Sequence, residues 1–278
     1  MKIALGTVQW GLDYGISNQK GIPSDNELDK ILALATASGI DLLDTASAYG
    51  DSESRIGNRS SGKFRIVTKI GSISKNNSIE QQVKRSLENL KRPSLYGCLF
   101  HNVKELLRKP SLWEEIQLEK KEGRIEKIGY SLYHPEELER LLDLNYVPDI
   151  IQVPFNLIDR RFEPYFKKLN LMNIEIHVRS VFLQGLLLNF QMMEQDKFLG
   201  WNTLWQQYKE WLKQSDLTPL EACISHAVQH KEISNVILGV EQLSQLEQIL
   251  LASKKNKVEV PKTFISTDEN LINPLSWL

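Results

Sequence analysis

Gly6-Thr7-Val8-Gln9-Trp10-Gly11, directly after the first apolar run of the chain, separates two fold classes. A doubly wound dinucleotide-binding sheet carries a Gly-x-Gly-x-x-Gly turn at this place, so that backbone N–H groups and a helix N-terminus can meet a pyrophosphate. The hexapeptide has glycine at its first and last positions only, and it does not match the Gly-rich loop ending in Lys-Ser/Thr of P-loop proteins either. Working outward, short β-branched or apolar runs at residues 2–7, 42–45, 64–70, 96–101, 127–131, 150–153, 175–180 and 235–239 read as strands. Segments with helical spacing lie between them, at residues 24–38, 78–90, 112–122, 135–142, 201–213, 219–230 and 241–252. In the first of these Ser24 and Glu27 form a capping-box signature, and Leu28, Ile31, Leu32 and Ala35 trace one face. Eight strands with helical crossovers suit a doubly wound sheet or a closed barrel. With the glycine turn absent, the expected architecture is an α/β fold, a single-domain (β/α)8 TIM barrel over residues 1–278.

Bulk properties narrow the function. Lys plus Arg number 34 against 35 Asp plus Glu, a net charge of -1, so no broad field favours nucleic acid or an anionic membrane, and a small molecule is the expected partner. No apolar run approaches the ~20 residues of a membrane span, and the start lacks a secretory pattern, which favours the cytoplasm. Cys98 and Cys223 sit in apolar segments without partners at metal-ligand spacing; buried thiols and no metal site are expected. The longest loop, residues 189–200, is of a size that often covers a site. The tail is expected to pack Trp277 against the outside of the barrel.

Four polar residues stand at or just beyond strand ends: Asp44, Tyr49, Lys69 and His101. Singly, each has an ordinary structural role as cap, rim residue or solvated strand end. Jointly they converge, because all strand tips of a barrel open on one face. An inward Lys69 would bury an ammonium unless a carboxylate compensates it, and Asp44 on the adjacent strand supplies one. The set suits carbonyl reduction. A phenol is a poor acid at neutral pH, and a nearby ammonium lowers its pKa, so Tyr49 would give the proton, with Lys69 as the perturbing charge and Asp44 as its anchor. A neutral His101 would donate a hydrogen bond to the substrate oxygen.

These residues resemble the catalytic tetrad of the aldo-keto reductases: an Asp, a Tyr five residues on, a Lys ending the next strand and a His ending the one after. The likeness extends over nearly the whole chain, through Leu5-Gly6-Thr7, Ile128-Gly129-Tyr130-Ser131, Arg179-Ser180 and Gln184-Gly185-Leu186. It implies a nicotinamide cofactor held in extended form. Ser131 and Gln152 would hold the carboxamide; Gly6, Thr7 and Asp44 would line the ribose; the backbone from Ser180 through Phe182, Gln184 and Gly185 would meet the pyrophosphate. Arg179 takes the position that usually stacks an aromatic ring on the nicotinamide, and Leu132 replaces the common Asn after Ser131. Trp10 and Tyr14 would wall the substrate site together with Tyr49 and His101, although a packing role suits Trp10 equally well.

NADP(H) is the cofactor that the resemblance implies. Around Gly239, Glu241 and Gln245, however, the basic residues that commonly grip the 2'-phosphate are missing, and Glu241 would repel that group, which makes NAD(H) a second candidate. The expected activity is nicotinamide-dependent interconversion of carbonyl and alcohol on a small polar substrate. Sugars enter through a general likeness to bacterial members of polysaccharide pathways, including the tail at residues 268–274. The alternative is a catalytically weak nucleotide-binding sensor or subunit on the same barrel, favoured by the poor phosphate-binding segment and opposed by the intact tetrad.

Overall fold

Every apolar run named above becomes a strand. In the computed structural model, which describes residues 2–277 apart from Ser17, Gln19 and Lys257, the strands are β1 (Ile3–Gly6), β2 (Leu42–Asp44), β3 (Arg65–Ile70), β4 (Leu95–Phe100), β5 (Ile125–Ser131), β6 (Ile150–Pro154), β7 (Glu175–Arg179) and β8 (Asn235–Gly239). All pair in parallel in sequence order, and β8 returns to β1 through Ile3↔Val236 and Gly6↔Gly239, so the barrel is closed. The outer layer of apolar side chains lies between strands and helices. A second, smaller cluster of Ala4, Leu42, Val67, Leu99, Ile150 and Ile237 fills the barrel interior.

The interior cluster positions the site. Side chains on a strand alternate faces, so the residue two positions beyond an inward one points inward again, one layer higher. From Ala4, Leu42, Val67, Leu99, Ile150 and Ile237 this step leads to Gly6, Asp44, Lys69, His101, Gln152 and Gly239. Ser131 stands beside Gln152 in the ladder, and Arg179 is paired with Pro154. The top layer of the barrel, at the strand C-terminal ends, is therefore polar from β2 to β7, and the two glycines of β1 and β8 complete the ring.

The helices follow the predicted segments with shifted ends: Asp25–Ala37, Ile79–Leu90, Ser111–Lys121, Pro135–Asp143, Asn202–Gln214, Pro219–Val228 and Leu243–Ala252. Ser78 and Gln81 close a reciprocal capping box, whereas the one expected at Ser24 forms only half. Ser24 accepts from the Glu27 amide, but the Glu27 carboxylate turns away to accept from the Leu243 amide at 2.6 Å, where the helix after β8 begins. That amide is one of the unsatisfied donors at a helix N-terminus, and a carboxylate is a stronger partner for it than a carbonyl. Two helices absent from the sequence reading, Ser52–Arg59 and Glu163–Leu171, complete the outer ring.

Both thiols are buried, and burial pushes each well above its ordinary pKa, Cys223 to about 12. Trp277 packs edge-on against Phe198, ring centroids 5.0 Å apart, and donates to the Asn270 carbonyl; Leu278 beyond it lies outside the described residues. No helix among the described residues is long and apolar enough to cross a membrane.

Candidate active site

The polar top layer carries one charged pair at its centre. Lys69 is 1% exposed and its ammonium sits 2.5 Å from Asp44 Oδ2, with a second bond of 3.0 Å to the Thr45 carbonyl. Gln152 donates to the other Asp44 oxygen at 2.7 Å, so both carboxylate oxygens are engaged from opposite sides of the barrel. Burial pushes the Lys69 pKa down, but Asp44 and Tyr49 together carry it above the ordinary value, so the amine is charged.

Tyr49 reaches the same point from the loop after β2. Its ring lies 5.2 Å from the Lys69 ammonium and edge-on to the His101 imidazole, centroids 5.8 Å apart. That loop is clamped to the turn after β1: Gly11 sits so close that a Cβ there would fall 2.0 Å from the Tyr49 carbonyl oxygen. A side chain at position 11 would push the Tyr49 backbone aside. Ser52 adds a second clamp through hydrogen bonds to the Thr7 carbonyl and hydroxyl.

The protonation states agree with the sequence reading in one case and correct it in another. Burial, aided by the Lys69 charge, lowers the His101 pKa to about 4, so the imidazole is neutral at pH 7. For Tyr49 the expected depression is reversed. Burial raises the phenol above its ordinary value, and the opposing attraction of Lys69 is too small to cancel it. The phenol is thus fully protonated at neutral pH. Lys69 acts by limiting the cost of phenolate, not by making phenolate common.

A cavity of about 700 Å³ opens on this layer. It is lined by Gly6, Thr7, Asp44, Ser131, Gln152, Arg179, Ser180, Phe182, Gln184, Gly185, Gly239, Glu241 and Gln245, and by Tyr14, Tyr49 and His101, all singled out from sequence. Lys69 lies behind them, reached through Tyr49 and Asp44. Trp10 is not part of the wall. It is fully buried, and its indole N–H donates to the Val240 carbonyl at 2.9 Å, so it ties the β1 turn to β8 while Gln9 and Leu12 face the cavity instead. Residues 189–200 do not line the cavity either; Met192, Met193 and Phe198 pack into the core.

Residues 2–262 match the Aldo/keto reductase family. The chain belongs to this family. Its barrel is similar to a Pseudomonas aeruginosa protein classed as an aldo-keto reductase, at 25% identity and TM-score 0.70 over 91% of this chain and 89% of that one. The aldo-keto reductase AKR11C1 from Bacillus halodurans, in its holo form, shares the fold at 17% identity and TM-score 0.74, covering 97% and 95% of the two chains. A Schizosaccharomyces pombe protein named as an uncharacterized oxidoreductase is 38% identical over 80 residues, a match spanning 28% of this chain and 29% of that protein.

Within this aldo/keto reductase the two departures noted from sequence prove to be coupled. Leu132 is fully buried, and its carbonyl accepts from Arg179 Nη2 at 3.1 Å. The Arg179 guanidinium also lies 4.3 Å over the ring of Tyr133, a cavity residue the sequence reading passed over. One guanidinium face is therefore covered by Tyr133.

The turn after β7 leaves several backbone amides open to the cavity. Ser180, Leu183 and Gln184 adopt positive φ (58°, 47° and 56°), and the amides of Val181, Phe182 and Gln184 have no acceptor among the described residues. Successive free N–H groups in such a turn form a cradle for anionic oxygens. At the far end Glu241 accepts from Gln245, and Arg179 is the only Lys or Arg among the residues lining the cavity.

Proposed function

We propose that this aldo/keto reductase interconverts a small polar carbonyl compound and its alcohol, with Tyr49 as proton donor and a nicotinamide nucleotide as redox partner. The buried Lys69–Asp44 pair beside the Tyr49 ring, on the floor of the cavity, carries this reading. The residues present suit the nucleotide. Gln152 has its N–H engaged by Asp44 and its carbonyl oxygen left to accept from a carboxamide, with Ser131 beside it. The amides near Ser180 suit the diphosphate. When bound, the nucleotide supplies the hydride.

The chain's own groups handle the proton and the charge. The substrate oxygen sits between the Tyr49 hydroxyl and the neutral His101 ring, whose N–H stabilises negative charge as it develops there. Tyr49 then releases its proton to that oxygen. The Lys69 ammonium stabilises the phenolate left behind, and Asp44, fixed by Gln152, keeps the amine charged and in place. In the reverse direction the phenolate takes the proton back. Glu241, with no basic residue beside it in the cavity wall, favours NAD(H) over a 2'-phosphorylated nucleotide.

Following nicotinamide absorbance with NADH or NADPH and a panel of aldehydes tests the assignment. Turnover that is lost in Tyr49→Phe supports it. Nucleotide quenching of tryptophan fluorescence with no turnover of any aldehyde would replace it with the sensor reading.

A further inference from the structure

One buried acid takes no part in the proton path. Glu53 is 4% exposed and belongs to no ion pair among the described residues. Its carboxyl accepts from the Thr68 hydroxyl at 2.7 Å and from Asn89 Nδ2 at 3.3 Å. Burying a carboxyl without a cation is costly, and an apolar side chain would fill the same volume without that cost. What the acid adds is a short, directional bond, and its partner is the residue next to Lys69.

On β3 successive side chains take opposite faces, so Lys69 points into the barrel with Val67 while Thr68 points out toward the helices. Tyr49 stands between two ties to this strand. Before it, Ser47 donates to the Lys69 carbonyl, through its amide at 3.2 Å and its hydroxyl at 3.0 Å. After it, in the first turn of the Ser52–Arg59 helix, Glu53 takes the Thr68 hydroxyl. Residues 47–53 thus form an arch whose two feet stand on neighbouring residues of β3, and the ring it carries lies 5.2 Å from the ammonium of the same strand. The second foot is stiff. One helical turn beyond Glu53, Gly57 packs so closely on the Ile79–Leu90 helix that a Cβ there would fall 2.1 Å from the Asn89 carbonyl oxygen. Gly11 and Ser52 hold the arch relative to β1; Ser47 and Glu53 hold it relative to β3, where the charge is.

We propose that Glu53 is a positioning residue for proton transfer, which acts through Thr68 to set the separation of the Tyr49 phenol from the Lys69 ammonium. This rests on the reductase reading above and adds to it a residue that lies outside the cavity wall. After burial, Lys69 acts most strongly on this phenol, ahead of Asp44 and Arg179, and the neutral His101 ring stands at its edge. The attraction between ammonium and phenolate varies inversely with separation, so a drift of about 1 Å raises the phenol's titration midpoint by about half a pH unit. Misplacement of that size slows a step that depends on alignment by up to about a hundredfold.

The test compares Glu53→Leu, Glu53→Gln and Thr68→Val with the wild type, using NADH and whichever of glyceraldehyde, butanal and benzaldehyde the wild type reduces fastest. Glu53→Leu and Thr68→Val should lower kcat about tenfold to a hundredfold, while the nucleotide dissociation constant, read from tryptophan fluorescence, stays within about twofold. Glu53→Gln keeps an oxygen for Thr68 and should stay within about threefold of the wild-type kcat. A second measurement needs no turnover. With tyrosine isotopically labelled at Cζ and followed by NMR, and the Tyr49 signal assigned by its loss in Tyr49→Phe, the midpoint should rise by about half a pH unit in Glu53→Leu and Thr68→Val and stay in place in Glu53→Gln. If Glu53→Leu does not fold, Thr68→Val, which keeps the shape of the side chain, carries the test. Lower stability in urea melts with kcat and midpoint both unchanged makes Glu53 a structural acid and overturns the proposal. So does a fall in kcat with a midpoint that stays in place or drops, because the effect then does not pass through Lys69. A wild type that reduces no aldehyde defeats the reductase reading alone, and the titration midpoints still decide for or against Glu53.

Discussion

Lys69→Met isolates the charge on which the proposed chemistry depends. The ammonium lies 5.2 Å from the Tyr49 ring, and at an effective dielectric constant of about 20 two unit charges at that separation attract by ~3 kcal/mol. Losing that attraction for the phenolate slows proton release by about two orders of magnitude. The single substitution has a second effect, because Asp44 would keep only the Gln152 donor in a position that is 4% exposed. An uncompensated buried charge costs about 3–5 kcal/mol. The double variant Lys69→Met/Asp44→Asn removes it and should recover most of the lost stability while staying slow. The assay is single-turnover hydride transfer with deuterated nucleotide, alongside urea melts of all three proteins. The primary isotope effect should be fully expressed in the variants, and the alkaline limb of Lys69→Met should move to higher pH, since the main charge opposing burial of the phenol is then gone. A folded Lys69→Met protein with a single-turnover rate within about threefold of wild type would refute the proton-donor assignment.

Three other outcomes follow from the site. NAD(H) should bind at least as tightly as NADP(H), and Glu241→Arg should tighten NADP(H) about tenfold through a charge-assisted contact; a strong wild-type preference for NADP(H), measured by fluorescence titration, rejects the role given to Glu241. His101 has a folded pKa of about 4 against an ordinary 6.5, so as pH falls through 6.5 the unfolded chain takes up its proton first and stability declines, by about 3 kcal/mol once pH 4 is reached. His101→Gln should remove that part of the slope, and identical pH dependence of urea melts in the two proteins would contradict it. Gly11→Ala should cost about 1–3 kcal/mol through overpacking and reduce turnover further by displacing Tyr49; unchanged turnover would show that the clamp does not position the phenol.

The strands and the top layer were legible because the strands are short apolar runs and, from β2 to β7, a polar inward residue stands at or just beyond the C-terminal end. That pattern places Asp44, Lys69, His101 and Gln152 on one face without any knowledge of neighbours. The helix Ser52–Arg59 was not legible: Ile56 is its sole buried apolar residue, and its inner face is completed by Ser52 and Glu53. Glu53 is buried by bonds from Thr68 and Asn89 that no local pattern announces. Glu163–Leu171 carries Pro164 in its first turn, where proline is tolerated although it reads as a breaker. Tyr133 escaped notice because its importance comes from a contact with Arg179, two strands further round the barrel. The direction of the Tyr49 pKa could not be read from spacing, because it depends on how far burial outweighs one ammonium. Trp10 illustrates a different limit: rim position is visible in a sequence, but whether an indole faces inward or outward is settled by its partner, here the Val240 carbonyl.

The join between the first and last units has a consequence for how the protein matures. Strand β1 pairs with β8 across roughly 230 residues of chain, and Glu27 meets the Leu243 amide over a similar span. Contacts so distant in sequence form slowly and late. During synthesis the early strands must wait, edge exposed, until residues near 239 have left the ribosome. Because Gly6 and Gly239 meet at this seam beside the cavity, the pocket is among the last features to be completed. A ribosome stalled short of the eighth strand should hold a chain that already contains Asp44, Tyr49, Lys69 and His101 but does not yet retain nucleotide.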